Sequence, residues 1–267
     1  MQPSYQSGFY APGRGVAKHP ELWRGCVGAW NPGLGNTGLS LRDWSGNGRN
    51  ATLTHAVNTA WTTKGITNNY TANASCRLGN FGAFPSQGTI CYWVMYRRYN
   101  YYDNSFGMNA FANNNIGIRV ELPPTRALYA YLGNAATGSS GTLVPFKTIE
   151  FNQFYHLAIT WDVPENKVST FVDGSPATSG ATVTTWAANM DDVRLGQGYN
   201  ATRVMNGIIN DCMIFTRALS PNEIRTLAQR PGIAYELAPR KTYFIQAATS
   251  TSQFYDVLSP LIFAGTN

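Results

Sequence analysis

Asn206-Gly-Ile-Ile-Asn-Asp-Cys-Met-Ile-Phe-Thr-Arg-Ala-Leu-Ser-Pro-Asn-Glu-Ile-Arg225 reads as a strand, a turn and a short capped helix. Ile208, Cys212 and Ile214 share one parity, with Asn210 among them, and alternation predicts that they lie on one face of the strand. Ser220 is placed as an N-cap, Pro221 suits the first helical position, and Glu223 completes a Ser-x-x-Glu capping box. Leu219 and Ile224 stand where a hydrophobic staple closes over that box. Pro231-Gly232 ends the helix.

Outward from this stretch the chain is strand-like. Tyr155, Leu157, Ile159 and Trp161 alternate with His156, Ala158, Thr160 and Asp162. The turn at Val163 to Asn166 then leads into Lys167 to Val172, an antiparallel hairpin. On the solvent parity of that hairpin His156 is expected at the surface. Thr89 to Tyr96 is apolar on both faces and reads as a central, covered strand. Leu22 to Trp30, Phe106 to Ile118, Arg119 to Leu122, Leu128 to Leu132 and Asp191 to Gly196 read as further strands, broken by Asn113-Asn114-Asn115 and Pro123-Pro124. Short strands with closely spaced turn signals predict an all-β, two-sheet antiparallel jelly-roll sandwich with one short helix.

Composition agrees. Of 267 residues only 13% are charged and 13% are aromatic, while Gly (26) and Pro (14) are common. The net charge of +6 fits either a mildly basic soluble protein or attraction to an acidic partner surface. No Lys/Arg-rich run exists, which argues against a nucleic-acid partner. No stretch approaches the roughly 20 apolar residues of a membrane helix. Met1 to Pro20 lacks an apolar signal core, so the expectation is a protein that is not exported. Cys26, Cys76, Cys91 and Cys212 have no metal spacing and are expected as free buried thiols, with Cys26–Cys212 the pair to test otherwise.

Three segments are candidates for binding. In Asp43-Trp44-Ser45-Gly46-Asn47-Gly48 a carboxylate and an amide share a Gly-rich turn, which either folds oxygens around calcium or makes an Asx turn in which Asp43 and Asn47 bond their own backbone. In Arg97-Arg98-Tyr99-Asn100-Tyr101-Tyr102, aromatic rings interleave with Arg, and Arg98, Tyr99, Tyr101 and Tyr102 could stack on a glycan, or else form an exposed strand end. The termini divide the chain into an extended arm (1–21), a body (22–233) and a tail (234–267) that carries Tyr243, Phe244, Phe254, Tyr255 and Phe263 without periodicity. Such apolar surface calls for a partner, either a neighbouring subunit or another copy of the chain.

Tyr155 to Asp162, Thr170 to Gly174, Leu195 to Gly198 and Asn206 to Leu227, together with the Asp43 loop, resemble the laminin-G-like, concanavalin-A-like jelly roll over about residues 22–230. The resemblance implies about a dozen strands, with the first, near Val27, pairing close to the one that holds Cys212. It also implies glycan or protein binding, and a structural calcium at Asp43 with the backbone of Ser45 to Asn47. Where that family usually has an acid this chain has Asn210, with Asp211 beside it as a substitute ligand. Signal-less jelly rolls with extended termini also resemble accessory proteins of tailed-phage virions. The reading that follows is a non-enzymatic structural virion protein, a capsid decoration or tail/fibre component, with a glycan-binding host-recognition module as the alternative. Enzymes are expected to be excluded because the paired acids of glycoside hydrolysis are missing from any one strand face; the nearest pair, Asp191-Asp192, points to opposite faces.

Overall fold

The computed structural model describes residues 17–34, 36–54, 58–69, 74–98, 103–108, 116–134, 142–183, 186, 189–198 and 203–238. Within them lie seventeen strands and one α-helix. The first strands are β1 (Cys26–Trp30), β2 (Asn36–Thr37), β3 (Ser40–Leu41), β4 (Ala51–Thr54), β5 (Thr59–Thr62) and β6 (Gly65–Asn69). Next come β7 (Ser75–Gly79), β8 (Gln87–Tyr96), β9 (Asp103–Gly107), β10 (Ile116–Leu122), β11 (Ala127–Asn134) and β12 (Thr142–Thr148). The last are β13 (Phe154–Asp162), β14 (Lys167–Val172), β15 (Ser175–Thr182), β16 (Val193–Leu195) and β17 (Asn206–Phe215), followed by α1 (Pro221–Leu227).

They form two antiparallel sheets. One runs β15-β14-β13-β8-β17-β6-β5, with β1 also on β17; the other runs β12-β11-β10-β9-β16-β7-β4-β3-β2. Alternation explains the layer between them. Ile90, Tyr92, Val94 and Tyr96 of β8 pack with Phe106, Val120, Ala130 and Val144 of the second sheet in one buried cluster. Full burial of such side chains is worth about 1.5–3 kcal/mol each. β8 is central, as its two apolar faces predict, because its other parity (Cys91) faces a second cluster on the outside of the eight-stranded sheet.

That second cluster seals the outer face. Leu219, Ile224 and Leu227 around α1 join Trp23, Phe215, Met213 and Tyr235 there. The capping box forms as the sequence predicts, with the Ser220 side chain accepting from the Glu223 N–H and the Glu223 side chain accepting from the Ser220 N–H. The body extends past the expected boundaries. Ala17 pairs with Leu237, the Lys18 N–H donates to Glu236 O at 2.7 Å, and Tyr235 is buried. The turn Ile233–Tyr235 works as a plug, which its lack of periodicity hides in the sequence. The arm before residue 17 and the tail after 238 lie outside the described residues.

The single-face reading of β17 is corrected. Ile209, Cys212 and Ile214 enter the inner core, whereas Ile208 does not. A β-bulge between Asn210 and Met213, with Asp211 at φ +49, shifts the parity by one residue. It also marks a change of partner. Asn206 to Ile209 pair with β6, and Cys212 to Phe215 pair with β1. The implied neighbourhood of first and last strands is therefore present, with Trp30 opposite Cys212. All four cysteines are buried and free, and Cys26 sits opposite Phe215, not Cys212. His156 has the expected outward parity but is only 1% exposed, edge-on to Trp93 at 5.4 Å.

Candidate functional site

The Asp43 loop is an Asx turn. Asp43 Oδ1 accepts from the N–H groups of Ala29 (3.0 Å) and Ser45 (2.9 Å), and Oδ2 accepts from Ser45 Oγ (2.9 Å) and the Arg49 N–H (3.0 Å). Four donors thus fill a carboxylate that is 5% exposed. Calcium needs several oxygen lone pairs turned inward, so this loop does not fit it. Asn47 donates to Ser45 Oγ through both its N–H and its Nδ2. Asp211 serves a different element, accepting from the Gly232 N–H at 2.6 Å. Burial raises Asp211 to about 6, against the pull of the Gly232 N–H and the Asn31 and Tyr235 side chains. Asn210 Nδ2 donates to Lys64 O at 3.1 Å. In this arrangement Asp43, Asn47 and Asp211, the residues of the implied calcium set, each make structural hydrogen bonds, and no group of three His, Cys, Asp or Glu comes together among the described residues.

Of the proposed stacking residues, Arg98 is exposed just beyond the end of β8, while Tyr99, Tyr101 and Tyr102 lie outside the described residues.

The outer face of the nine-stranded sheet carries the chemistry that sequence reading passed over. Strand pairing aligns Tyr131 (β11) with Arg119 (β10), Arg119 with Gly107 (β9), Gly107 with Arg194 (β16), and Arg194 with Arg77 (β7). Paired residues share a face, so these five side-chain positions form one row across five strands, spaced about 4.8 Å apart. The neighbouring row is Tyr129, Glu121 and Asn104. Tyr131 and Tyr129 continue to Leu143 and Pro145 on β12, and Leu143 is 55% exposed. The signal was present as alternation: Arg119 and Glu121 interleave with the buried Ile118, Val120 and Leu122, and Tyr129 and Tyr131 with Leu128, Ala130 and Leu132.

Each carboxylate here is shared by two guanidiniums. Glu121 Oε1 accepts from Arg119 and, at 3.0 Å, from Arg203, and Glu121 Oε2 accepts from Tyr129 OH at 3.0 Å. Asp192 Oδ1 accepts from Arg77 (3.0 Å) and Arg194 (2.9 Å). The Arg119 guanidinium lies 3.8 Å from the Tyr131 ring centre, an arrangement that stiffens both. Burial pulls Arg194 below its ordinary value, and its bond to Asp192 opposes this. Gln197-Gly198, paired with Arg203-Val204, lies against the row at Gly107. Gln197 bridges to Val204, the Gly198 N–H donates to Arg203 O at 2.9 Å, and Gln197 Oε1 accepts from Arg194 at 2.7 Å. A β-carbon on Gly107 would come within 2.7 Å of Gln197 O, so only glycine lets this segment lie against β9.

The architecture is a two-sheet antiparallel β-sandwich, sealed on one outer face by α1 and its apolar cluster and carrying Tyr129, Tyr131 and the Arg–carboxylate groups on the other. The chain belongs to the concanavalin A-like lectin/glucanases superfamily, whose laminin-G-type model matches residues 67–225, more than half of the sequence. No curated protein sequence matches it. Among solved structures, the chain is similar to Trypanosoma rangeli sialidase in complex with sialic acid, with TM-score 0.58, 19% identity, and 77% of this chain against 33% of that one. It is also similar to the binding domain of Paraclostridial Mosquitocidal Protein 1, with TM-score 0.57, 17% identity, and 78% of this chain against 52% of that one. The chain thus spans about a third of the length of the sialidases and half of the toxin domain, and the likeness is one of fold.

These comparisons correct two expectations. The reading as a non-enzymatic structural component of a virion gives way, because the structures found to share the fold include sialidases and a toxin's binding domain, and none of those compared is a virion protein. The exclusion of enzymes falls with it, since sialidases are among the proteins built on this sandwich.

Proposed function

We propose that this protein is a glycan-binding, lectin-like module, and that its ligand lies along the outer face of the nine-stranded sheet. The observation that carries the reading is the asymmetry of the two outer faces. Helix α1 and the turn Ile233–Tyr235 cover one of them with apolar side chains. The other offers Tyr129 and Tyr131, half-buried, beside the exposed Leu143 and a line of arginines. Sugars are recognised by such pairings, where a ring face packs on an aromatic plane and hydroxyls bond to fixed planar donors and acceptors. The superfamily and the sialidase likeness support the same ligand class.

The ligand need not find flexible partners. Arg119 is held on Tyr131 and Glu121, and Tyr129 OH is bonded to Glu121, so little rotamer freedom remains to be lost on binding. A glycan array with the full chain tests the reading. Binding that disappears in Tyr131→Ala, with an unchanged melting temperature, supports it; absence of any binding by the wild type, or binding indifferent to Tyr131→Ala, sinks it.

A further inference from the structure

The row of paired positions does not stop at Arg77. Thr52 (β4) stands opposite Arg77, Ser40 (β3) opposite Thr52, and Thr37 (β2) opposite Ser40. At the other end Leu143 (β12) stands opposite Tyr131. Leu41, Ala51 and Leu53, the chain neighbours of these residues, lie in the inner core, which fixes the outward parity of Ser40 and Thr52. One row of outward positions therefore runs in register from Leu143 to Thr37 across all nine strands.

At its β2 end the row opens into a hollow of about 470 Å³, where Thr37 and Ser40 meet Arg42, Gly46, Gly48 and Asn50. The Asp43 loop builds this hollow. Asp43 also borders it, but its two oxygens are filled by four donors, so it anchors the loop. The Asp43 N–H donates to Asn50 Oδ1 at 3.0 Å, which orients that exposed amide and leaves Nδ2 as its donor toward a ligand. The Arg42 guanidinium lies 4.5 Å from the centre of the Trp44 ring. A β-carbon on Gly48 would meet nothing within 4 Å, so the space over the loop is open. Hydroxyls, an oriented amide and a guanidinium around a hollow of this size suit one sugar unit.

Gln197, resting on Gly107, divides the row. Tyr131 and Leu143 lie on one side of it, and Thr52, Ser40 and Thr37 lead to the hollow on the other. The arginines are paired in two triads of one carboxylate between two guanidiniums, Glu121 with Arg119 and Arg203, and Asp192 with Arg77 and Arg194. What the row offers is therefore length, not charge. From Tyr131 to Thr37 is seven strand steps, roughly 34 Å at about 4.8 Å each.

Resting on the glycan-binding reading above, we propose that the hollow beside Thr37, Ser40, Arg42 and Asn50 is a second sugar subsite, and that the protein selects long linear glycans which occupy it and the Tyr131 surface at once. Each subsite alone holds a short sugar weakly. A chain that spans both makes its second contact at high effective concentration, because one rigid sheet fixes their separation. One unit of an extended glycan advances by about one strand step, so roughly seven units are needed.

The test uses the full chain and ladders of xylo-, manno-, laminari- and galacturono-oligosaccharides from three to ten units, titrated by calorimetry beside the glycan array. At least one ladder is expected to gain ten-fold or more in affinity between the tetramer and the octamer. Thr37→Ala and Arg42→Gln are expected to cut octamer affinity at least five-fold and tetramer affinity less than two-fold, at unchanged melting temperature. Should Arg42→Gln lower that temperature, the exposed Thr37→Ala carries the comparison. Tyr131→Ala weakens both lengths. Affinities that no longer rise beyond the tetramer in any ladder overturn the length selectivity while glycan binding stands. Equal losses at both lengths in Thr37→Ala, or no loss at either, overturn the second subsite. Binding to no ladder, together with an empty glycan array, overturns both readings.

Discussion

Arg119 and Arg194 stand on either side of Gly107 in a single row of the nine-stranded sheet, and the backbone of Gln197 rests on the glycine between them. The two charge triads are therefore set apart by a segment whose seat is one missing side chain.

Replacing that glycine should disturb both. In Gly107→Ala the new methyl meets Gln197 O at 2.7 Å, a backbone atom that cannot swing away. Overpacking of this kind costs about 1–3 kcal/mol. Chemical denaturation should show a loss in that range. Glycan affinity should fall further than in a surface control of equal stability, because the shifted segment carries Arg203 away from Glu121.

Asp43 gives a second prediction. Its oxygens receive four donors, so Asp43→Ala strands buried N–H groups of Ala29, Ser45 and Arg49. A loss of about 3 kcal/mol or more is expected from hydrogen bonds to a charged acceptor. Calcium at millimolar concentration, or its chelation, should leave the melting temperature of the wild type unmoved by the Asp43 loop; a rise that Asp43→Ala abolishes would restore the metal reading.

The capping box ranks two substitutions. Ser220→Ala removes one cap and should cost about 1 kcal/mol. Glu223→Ala should cost more, roughly 2–3 kcal/mol, because Glu223 also holds Arg217 through two bonds of 3.0 and 2.5 Å. Burial works against the charged form of Glu223, yet Arg217 and Ser220 hold it down to about 2. Its contribution is therefore complete above its ordinary value of 4.5 and fades as pH falls toward 2. Urea midpoints for the two variants at pH 7 check the order.

Two buried groups oppose each other in mild acid. Burial lowers His156 from 6.5 to about 3, so the fold keeps it neutral and loses stability as pH falls below 6.5. Burial raises Asp211 from 3.8 to about 6, so the fold binds its proton better and gains stability as pH falls through 6. Between pH 7 and 4.5 each effect amounts to roughly 2–3 kcal/mol, and they largely cancel. Denaturation across that window should be nearly flat for the wild type. It should rise toward acid in His156→Gln, where Asp211 acts alone, and fall toward acid in Asp211→Asn, which keeps an oxygen acceptor for Gly232 and a residue that tolerates positive φ. Parallel curves for the three proteins would refute the assignment.

The sandwich was legible in the sequence because its strands obey strict alternation, and the helix because three short-range rules coincide at Ser220, Pro221 and Glu223. What escaped depended on contacts distant in the chain. Asp211 adds a bulge where β17 changes partner from β6 to β1, and no local signal marks that exchange. His156 follows its outward parity, but the packing that buries it beside Trp93 belongs to a different strand. Asp43 carries the residue types of a metal loop, and only the donors arriving from Ala29 and Arg49 decide for a turn. The arginine row exists only once β10, β9, β16 and β7 are laid side by side.

Ala17 and Leu237 are partners in a bridge, tied further by Lys18 and Glu236. Both ends of the described body thus leave from the same spot, next to the Trp23 and Tyr235 cluster on the back of the eight-stranded sheet. The arginine row looks out from the opposite side of the sandwich. A force applied through both flanking segments would therefore enter the body at this bridge, on the side of the sandwich opposite the row of Arg119, Arg194 and Arg77, and would bypass the strands that carry that row.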